Sequence, residues 1–193
     1  MRRLIVSMNI TLDGYLAGQH GELDWHFNNW TPEMGDALCR QLANAGTILL
    51  GRVTYEAMAA YWPAKMRGPS CREEDFAFAN MMNSYEKRVF SASLDVAGWH
   101  NSTVIKTAPA KEVTRLKQQP GKDMIIYGSA TLAAGLMKYQ LIDEYHLWVH
   151  PVVLGKGKMF FPIVDEMRQL HLTASATFSS GVVMLCYNCH NIH

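Results

Sequence analysis

Short apolar runs alternate along the chain with segments whose hydrophobic residues recur at helical spacing. The apolar runs predict strands at 3–10, 47–50, 87–91, 102–106 and 123–127. The helical spacing predicts helices over 34–45, 73–84, 109–117 and 130–139, and one more that begins near Thr54. The segment with Gly14, Gly18 and Gly21 is too glycine-rich for regular structure, and 62–70 is a predicted loop. Strands that alternate with helices favour an α/β fold with mostly parallel strands.

The last third of the chain has a different pattern. Residues 144–155 are predicted to form one long strand, interrupted or bulged at Pro151, because proline cannot donate to a sheet ladder. Residues 170–178 and 182–189 are two β runs joined by Ser-Ser-Gly, which is typical of a hairpin. The predicted fold is therefore α/β: a mostly parallel central sheet flanked by helices, with a C-terminal antiparallel hairpin. No linker-like segment divides it, so residues 1–193 are expected to form a single domain.

Two of the predicted strands end in a glycine that directly precedes a predicted helix. Gly51 follows the apolar run 48–50, and Gly128 follows the run 123–127. The start of a helix presents unpaired backbone N–H groups and the positive end of the helix dipole, which together bind anions. Arg52 adds a planar cation suited to phosphate. Either turn alone has an equally good structural explanation, since many strand–helix connections turn through glycine without binding anything.

A third turn of small residues follows the predicted strand 87–91. It contains Ser91, Ala92 and Ser93, which offer hydroxyl groups where the strand leaves the sheet. Parallel strands that end side by side bring their turns together along one edge of the sheet, where open α/β sheets bind ligands. Three such turns suggest an extended ligand that carries phosphate. A nucleotide cofactor is the natural candidate.

The composition argues against several classes of function. The chain has 193 residues, of which 49% are hydrophobic and 18% charged, as in a globular protein with a substantial core. The formal net charge of +1 argues against a broad nucleic-acid or membrane surface. No apolar run approaches the roughly 20 residues that span a bilayer, and the N-terminus lacks the long apolar stretch of a secretory signal. A cytoplasmic protein is the default expectation.

Cysteine and histidine residues lie close together near the C-terminus. Cys186, Cys189 and His190 match the attachment pattern of c-type haem, and with His193 they would form a metal site if the tail folded back. The segment 182–189 alternates like a closing strand, however, which places the two cysteines on opposite faces. We therefore predict neither haem nor a metal.

Several spaced motifs resemble those of dihydrofolate-reductase-like proteins. Gly-Arg-Val-Thr-Tyr-Glu-Ala-Met at 51–58 resembles the glycine–arginine–x–threonine helix start of dihydrofolate reductases. Leu-Asp-Gly-Tyr-Leu-Ala-Gly at 12–18 and Leu-Asp-Trp at 23–25 are similar to relatives of the C-terminal reductase domain of bacterial riboflavin biosynthesis. Gly-Ser-Ala at 128–130 lies where that superfamily has its second cofactor turn, and the run 141–158 is the most family-specific. The resemblance covers nearly the whole chain, in order.

The resemblance implies an NADPH-binding fold. It implies that Arg52 distinguishes NADPH from NADH, because a guanidinium group pairs bidentately with the 2′-phosphate. The implied cofactor contacts are Gly51, Arg52, Val53 and Thr54 for the pyrophosphate and 2′-phosphate, Ser91, Ala92 and Ser93 for the adenosine half, Gly128, Ser129 and Ala130 for the pyrophosphate, and Leu16 and Ala17 for the nicotinamide.

The substrate side has fewer matching residues. Dihydrofolate reductases anchor the pterin with a helical carboxylate five residues after a tryptophan, and counting from Trp25 that position falls on Trp30. The missing charged partner argues against dihydrofolate reduction. Asp13 is predicted to hydrogen-bond the substrate or relay a proton, or else to cap its own turn. Asp24 is a candidate substrate ligand with the same structural alternative, and Trp25 either forms a wall for a planar substrate or closes the core.

The resemblance therefore implies an NADPH-dependent reductase that transfers a hydride to a small planar or heterocyclic substrate, for example a 5-amino-6-(5-phosphoribosylamino)uracil-like compound. The companion deaminase of the bifunctional riboflavin enzyme, with its zinc-ligand pattern, is not recognised, so a stand-alone homologue is expected. Two alternatives stay open. One is a dihydrofolate reductase, and the other is a non-catalytic module that uses the same pocket to bind a different ligand.

A homodimer is also expected. Both faces of the predicted strand that begins at 144 are partly apolar, with Tyr145, Leu147 and Val149 on one face and His146, Trp148 and His150 on the other. Such a strand suits a subunit contact. Buried, hydrogen-bonded histidines or that contact explain His146 and His150 better than a metal site does.

Overall fold

The computed structural model describes residues 1–66, 73–161 and 167–189. Its strands are β1 (Leu4–Thr11), β2 (Tyr15–Ala17), β3 (Ala45–Gly51), β4 (Glu86–Phe90), β5 (Ser102–Ile105), β6 (Asp123–Tyr127), β7 (Glu144–His150), β8 (Lys158–Met159), β9 (His171–Thr177) and β10 (Val183–Asn188). The main sheet has the order β5-β4-β3-β6-β1-β7-β10-β9. Its strands are parallel from β5 to β7, and β10 is antiparallel to both of its neighbours. This arrangement confirms the predicted fold class.

Helices cover both faces of the sheet. They are α1 (Asp24–Phe27), α2 (Pro32–Ala43), α3 (Arg52–Lys65), α4 (Glu73–Ser84), α5 (Pro109–Lys117) and α6 (Ala130–Lys138). Alternate residues of β1 face opposite sides, so that Leu4 and Val6 join a core with α5 and α6, whereas Ile5 joins a core with α2, α3 and α4. The start of α2 follows from its sequence, because Thr31 Oγ1 accepts a hydrogen bond from the Met34 amide at 3.4 Å.

The structure corrects several predicted boundaries. Helix α3 begins at Arg52, two residues before the predicted start, and continues to Lys65, inside the predicted loop 62–70. Residues 67–70 of that loop lie outside the described ranges. Strand β7 ends at His150, because Pro151 cannot continue the ladder. The glycine-rich segment predicted to lack regular structure contains β2, which pairs with β8.

Strand β7 lies inside the sheet between β1 and β10. Its Trp148 is 2% exposed and donates from Nε1 to Ser7 Oγ at 3.1 Å, and His146 and His150 are hydrogen-bonded. The core therefore accounts for the apolar residues on both faces of this strand, and the subunit contact through it stays a prediction. The homodimer itself stays a prediction, which sedimentation analysis tests.

The closing strand places its two cysteines as predicted. Cys186 lies opposite His146 in the ladder, whereas Cys189 packs on the other side, against the core under α5 and α6. Within the described residues no group of three or more His, Cys, Asp or Glu side chains is arranged to hold a metal, and His190 and His193 lie outside those residues. No helix in the described part of the chain is long and apolar enough to cross a bilayer.

Candidate cofactor and substrate site

Five neighbouring parallel strands end along one edge of the sheet. The residues at that edge, in spatial order, are Ser91 after β4, Gly51 at the end of β3, Gly128 after β6, Leu12 after β1 and Pro151 after β7. Strand β1 pairs with β6 only over Leu4–Ser7 but with β7 over Ile5–Thr11, so β1 and β7 project together beyond the end of β6. The edge therefore holds the predicted turns in one row beside a projecting pair of strands.

A hydrogen bond joins the two glycine turns. The Gly51 amide donates to Ser129 Oγ at 2.7 Å, between the end of β3 and the start of α6. The fit is close, because a Cβ atom added to Gly51 would lie 3.4 Å from that oxygen, and one added to Gly128 would lie 3.0 Å from Thr54 Cγ2. This geometry agrees with the prediction from the sequence that the two turns lie together at one edge of the sheet.

The second turn has an unusual backbone conformation. Gly128 and Ser129 have φ angles of 65° and 62°, both in the left-handed region. Serine adopts this region at a cost of about 1 kcal/mol, whereas glycine adopts it freely. The left-handed conformation directs the Ser129 hydroxyl to Gly51, and Ser129 accordingly makes no side-chain cap hydrogen bond to its own helix within the described residues.

The starts of α3 and α6 differ from the start of α2. Within the described residues neither α3 nor α6 has a side-chain cap or an acidic residue in its first turn, whereas α2 has the Thr31 cap and Glu33. The first N–H groups of a helix have no acceptor within the helix. Two adjacent helix starts therefore present backbone donors and a positive potential with no acidic residue in their first turns.

Arg52 lies in the first turn of α3 with its side chain 45% exposed. Its guanidinium group donates to both carboxylate oxygens of Glu56, at 3.0 Å and 2.8 Å. An exposed ion pair of this kind contributes only about 0.2–1 kcal/mol, so a phosphate can displace the carboxylate at little cost. Val53, which follows Arg52, is 69% exposed at the same helix start.

The serine turn after β4 lies beside Gly51, because Phe90 pairs with Gly51 in the ladder. Ser91 Oγ accepts from the Leu94 amide at 2.9 Å and lies 3.5 Å from Ser93 Oγ. Ser91 thus stabilises its own turn, and Ser93 is exposed in the same turn.

Asp13 connects the loop after β1 with the loop after β7. Its Oδ2 accepts from the Gly155 amide at 2.7 Å and from the Leu154 amide at 3.1 Å, and Oδ1 accepts from Thr11 Oγ1 at 2.6 Å. The Thr11 hydrogen bond lowers the pKa of Asp13, and the two amide hydrogen bonds act in the same direction. Burial has a smaller, opposite effect. The sequence left open a substrate-binding or proton-relay role and a cap of its own turn; the geometry shows instead that Asp13 joins two loops.

Leu16 and Ala17, the predicted nicotinamide contacts, lie on β2. Leu16 packs partly against the main core and Ala17 is 7% exposed. The pairing of β2 with the segment before β8 is tight, since a Cβ atom on Gly157 would lie 2.2 Å from the Ala17 carbonyl oxygen. Gly157 therefore sets the position of β2 at the site.

Trp25 and Asp24 begin the short helix α1. Trp25 is 9% exposed, and its ring meets the His150 ring edge to face, with centroids 5.2 Å apart. Asp24 is exposed in the first turn. Trp30, which occupies the position of the pterin-binding carboxylate by sequence count, packs against the core formed by α2 and the terminal hairpin.

His150 and Asn9 are candidate site residues that sequence reasoning missed. His150 Nε2 lies 2.9 Å from Asn9 Oδ1, and both side chains lie on the projecting ends of β7 and β1. The alternating pattern of these two strands indicates a buried histidine, but it does not show that the histidine lies at the edge of the sheet. The register of β1 with β7 and the ring contact with Trp25 place His150 at that edge.

The sheet order and the row of turns define a dihydrofolate-reductase-like α/β protein. The model of the RibD C-terminal domain family matches residues 2–184, so the chain belongs to that family, which is a family of reductases. The Bacillus subtilis protein YyaP, described as uncharacterised, is 36% identical over 187 residues, which cover 97% of this chain and 95% of YyaP.

Three solved structures share the fold. A riboflavin biosynthesis protein from Shewanella sp. PV-4 has a TM-score of 0.75 at 18% identity, covering 98% of this chain and 99% of that one. The Thermotoga maritima diaminohydroxyphosphoribosylaminopyrimidine deaminase/5-amino-6-(5-phosphoribosylamino)uracil reductase has a TM-score of 0.68 at 12% identity, covering 98% of this chain and 57% of its own. Enterococcus faecalis dihydrofolate reductase, complexed with NADP(H), has a TM-score of 0.60 at 16% identity, covering 98% and 97%. At these identities the similarity concerns the fold alone.

Proposed function

We propose that the protein is an NADPH-dependent reductase. The observation that carries the proposal is the hydrogen bond between Gly51 and Ser129, which holds the starts of α3 and α6 side by side. A pyrophosphate placed across them would meet two sets of backbone N–H donors at once. Membership of a reductase family and the fold shared with a dihydrofolate reductase complexed with NADP(H) support the same cofactor.

The residues present fit this cofactor. The N–H groups of Arg52, Val53 and Thr54 in α3, and of Ala130 in α6, would bind the pyrophosphate, and the Arg52 guanidinium would exchange Glu56 for the adenosine 2′-phosphate. Bound NADPH would supply a hydride from its nicotinamide ring. The chain supplies binding, orientation and exclusion of water at that ring.

The substrate side of the proposed site lies at the projecting ends of β1 and β7. Trp25 and His150 provide an aromatic surface there, which suits a small planar heterocycle. Asp13 would act by holding the loops around the site, since its carboxylate already accepts hydrogen bonds from three residues. Asp24, which is exposed, would contact substrate only if α1 turned inward, so Trp25 is the better placed of the two predicted substrate ligands.

Direct binding of the cofactor tests the proposal. The purified protein is titrated with NADPH and, separately, with NADH, and the nicotinamide fluorescence is followed. We expect NADPH to bind at least tenfold more tightly, because the 2′-phosphate adds a charge-assisted hydrogen-bonded pair of roughly 1.5–3 kcal/mol. If neither dinucleotide binds, the pocket serves another ligand, and the proposal fails.

The dihydrofolate reductase alternative is tested in the same preparation. NADPH oxidation is measured with dihydrofolate as the acceptor. We expect little or no turnover, because Trp30 stands where the pterin-binding carboxylate is required. Turnover at the rate of an efficient reductase would replace the proposed heterocycle with dihydrofolate.

A further inference from the structure

Strand β9 forms one of the two edges of the main sheet. Its inner side pairs with β10, and in the described part of the chain no strand lies on its outer side. An edge strand presents a row of main-chain N–H and C=O groups that can pair with another strand. A strand from a second molecule could therefore extend the sheet at β9.

The hydrogen bonds of the terminal hairpin show which main-chain groups of β9 point outward. The Phe178 amide donates to the Val182 carbonyl oxygen at 2.9 Å, so these two residues form a hydrogen-bonded pair. Hydrogen-bonded and non-hydrogen-bonded pairs alternate along an antiparallel ladder. Thr177 and Ser175 belong to the intervening pairs, which are not hydrogen-bonded to β10. Their N–H and C=O groups therefore point to the open edge.

The common devices that protect an edge strand from pairing are a short length, a charged side chain and a proline. Strand β9 has seven residues, and the segment 170–181 contains no Asp, Glu, Lys, Arg or Pro. The register irregularity of the hairpin lies before Ala174, so 174–177 is a regular strand. The opposite edge, β5, has only four residues and is followed by Lys106. Of the two edges, β9 is the one open to pairing.

The sequence of β9 is complementary to itself. Its last five residues read Thr-Ala-Ser-Ala-Thr, which is the same in both directions, and four of the five are exposed. When two copies pair antiparallel about Ser175, Thr173 of each lies opposite Thr177 of the other. Ala174 then lies opposite Ala176, and Ser175 faces its own counterpart. Side chains of equal size meet at every position, and hydroxyl-bearing cross-strand pairs stabilise sheets.

The same register satisfies the outward main-chain groups at the symmetry axis. The N–H and C=O groups of Ser175 in one copy would exchange two hydrogen bonds with those of Ser175 in the other. Each copy uses this edge once, so the assembly closes as a dimer. The formal net charge of +1 adds little repulsion between two copies. Strand β10 separates β9 from β7, so the turns of the proposed cofactor site stay open.

We propose that β9 is the contact through which two copies of this chain form a dimer, joined antiparallel about Ser175 into one continuous sheet. A second copy fits this edge better than a strand of another protein, because the palindromic sequence matches the edge to itself. The proposal is an alternative to the subunit contact predicted through β7. It does not depend on the proposed reductase function.

Sedimentation velocity of the full chain over a series of concentrations tests the proposal. We expect a reversible dimer for the wild type. Ser175→Pro should raise the dimer dissociation constant roughly tenfold or more, because it removes the amide that donates at the axis. The hairpin itself tolerates proline there, since that amide points away from β10. Ser175→Ala is the matched control, which keeps the main-chain groups and should leave the dissociation constant nearly unchanged.

A cross-linking experiment tests the register and does not depend on how Ser175→Pro folds. In the proposed dimer the two Cα atoms at position 175 would lie about 5.5 Å apart, which suits a disulfide. Oxidation of Ser175→Cys should therefore give a covalent dimer on a denaturing gel, and a reductant should reverse it. Thr103→Cys, on the exposed side of β5, is the matched control and should stay monomeric. The wild type, run in parallel, reports any reaction of the native cysteines.

Three outcomes would overturn the proposal. A wild type that stays monomeric at every concentration would leave the edge to a strand of another protein. A dimer whose dissociation constant is the same in Ser175→Pro would have its contact elsewhere. Cross-linking of Ser175→Cys no faster than that of Thr103→Cys would rule out the register about Ser175. The NADPH titration is a separate measurement, so failure of NADPH to bind would reject the reductase function and leave the dimer contact standing.

Discussion

The Gly51 amide donates a hydrogen bond to the hydroxyl of Ser129 at 2.7 Å, across 78 residues of sequence. The bond joins the end of β3 to the start of α6 and so fixes the separation of two helix starts. Its geometry depends on the left-handed conformation of Ser129, which turns the hydroxyl away from its own helix. One side chain therefore couples the two halves of the proposed cofactor site.

Replacement of Ser129 should loosen that coupling. Ser129→Gly removes the hydroxyl but relieves the left-handed strain, whereas Ser129→Ala removes the hydroxyl and keeps the strain. We expect Ser129→Ala to be less stable than Ser129→Gly by about 1 kcal/mol in urea unfolding. Both variants should bind NADPH several-fold more weakly than the wild type. Equal NADPH affinity in all three proteins would show that the hydroxyl does not shape the cofactor site.

Arg52→Ala should change the choice of cofactor. Loss of the guanidinium is expected to weaken NADPH binding roughly 10- to 100-fold and to leave NADH binding nearly unchanged, because only NADPH carries the 2′-phosphate. Glu56→Gln is the matched variant, since it frees the guanidinium from its carboxylate partner and should tighten NADPH. Fluorescence titration measures both. If Arg52→Ala weakened NADPH and NADH binding equally, Arg52 would not contact the 2′-phosphate.

Gly157→Ala should displace β2. The new methyl group would lie 2.2 Å from the Ala17 carbonyl oxygen, so one of the two segments has to move. We expect a loss of roughly 2–4 kcal/mol in the free energy of unfolding, together with weaker NADPH binding. Gly98→Ala is the control, because no described atom lies within 4 Å of its added Cβ. Similar losses in the two variants would show that the contact is easily relaxed.

Asp13→Asn should free the loop that follows β7. The pKa of Asp13 is lowered in the folded protein, so its contribution to stability is present above the ordinary value of 3.8 and is lost as the pH falls through the lowered value. At neutral pH the variant should speed hydrogen exchange at the Leu154 and Gly155 amides. The exposed Asp24→Asn should leave both amides unchanged. Unchanged exchange in Asp13→Asn would favour the direct role in catalysis first predicted from the sequence.

His146 should make stability depend on pH in the neutral to alkaline range. Burial opposes its charge, but the neighbouring Cys186 and the hydrogen bond to Glu144 outweigh that effect and raise the pKa of His146 to about 9. Because the folded value exceeds the ordinary 6.5, the stabilisation is complete below about pH 6.5 and is lost as the pH rises through 9. We expect the free energy of unfolding to fall by on the order of 2 kcal/mol between these pH values. His146→Gln should flatten that slope, and an unchanged slope would show that other groups cause it.

Local signals in the sequence were sufficient for most of the elements. The cap at Thr31, the glycines before α3 and α6, and the periodicity of α5 act within a few residues of chain, so they predict helices and strands directly. The errors fell where a distant contact decides the outcome. Strand β2 forms because Gly157 lets another segment pair with it, and no property of residues 15–17 indicates that partner.

The strand that begins at 144 shows a different kind of limit. Its apolar residues on both faces are compatible with a subunit contact and with a central strand. The sequence does not distinguish the two, because the hydrophobic effect favours burial equally against another subunit or against the protein's own core. The positions of β1 and β10 on its two sides show that it is an inner strand of the sheet. Likewise the aspartate in the first loop was expected near the sheet edge, but two of its three donors, Leu154 and Gly155, lie more than 140 residues away in the loop after β7.

The sequence by itself determined the fold class, the two glycine turns and the cation beside one of them, because strand–turn–helix chemistry is local. Only the tertiary structure decided that Ser129 connects these turns, that Asp13 holds loops together, and that the Trp25 ring packs against the His150 ring beneath α1. Each of these depends on register between segments far apart in the chain. Register is set by the packing of the whole core, which no single stretch of sequence specifies.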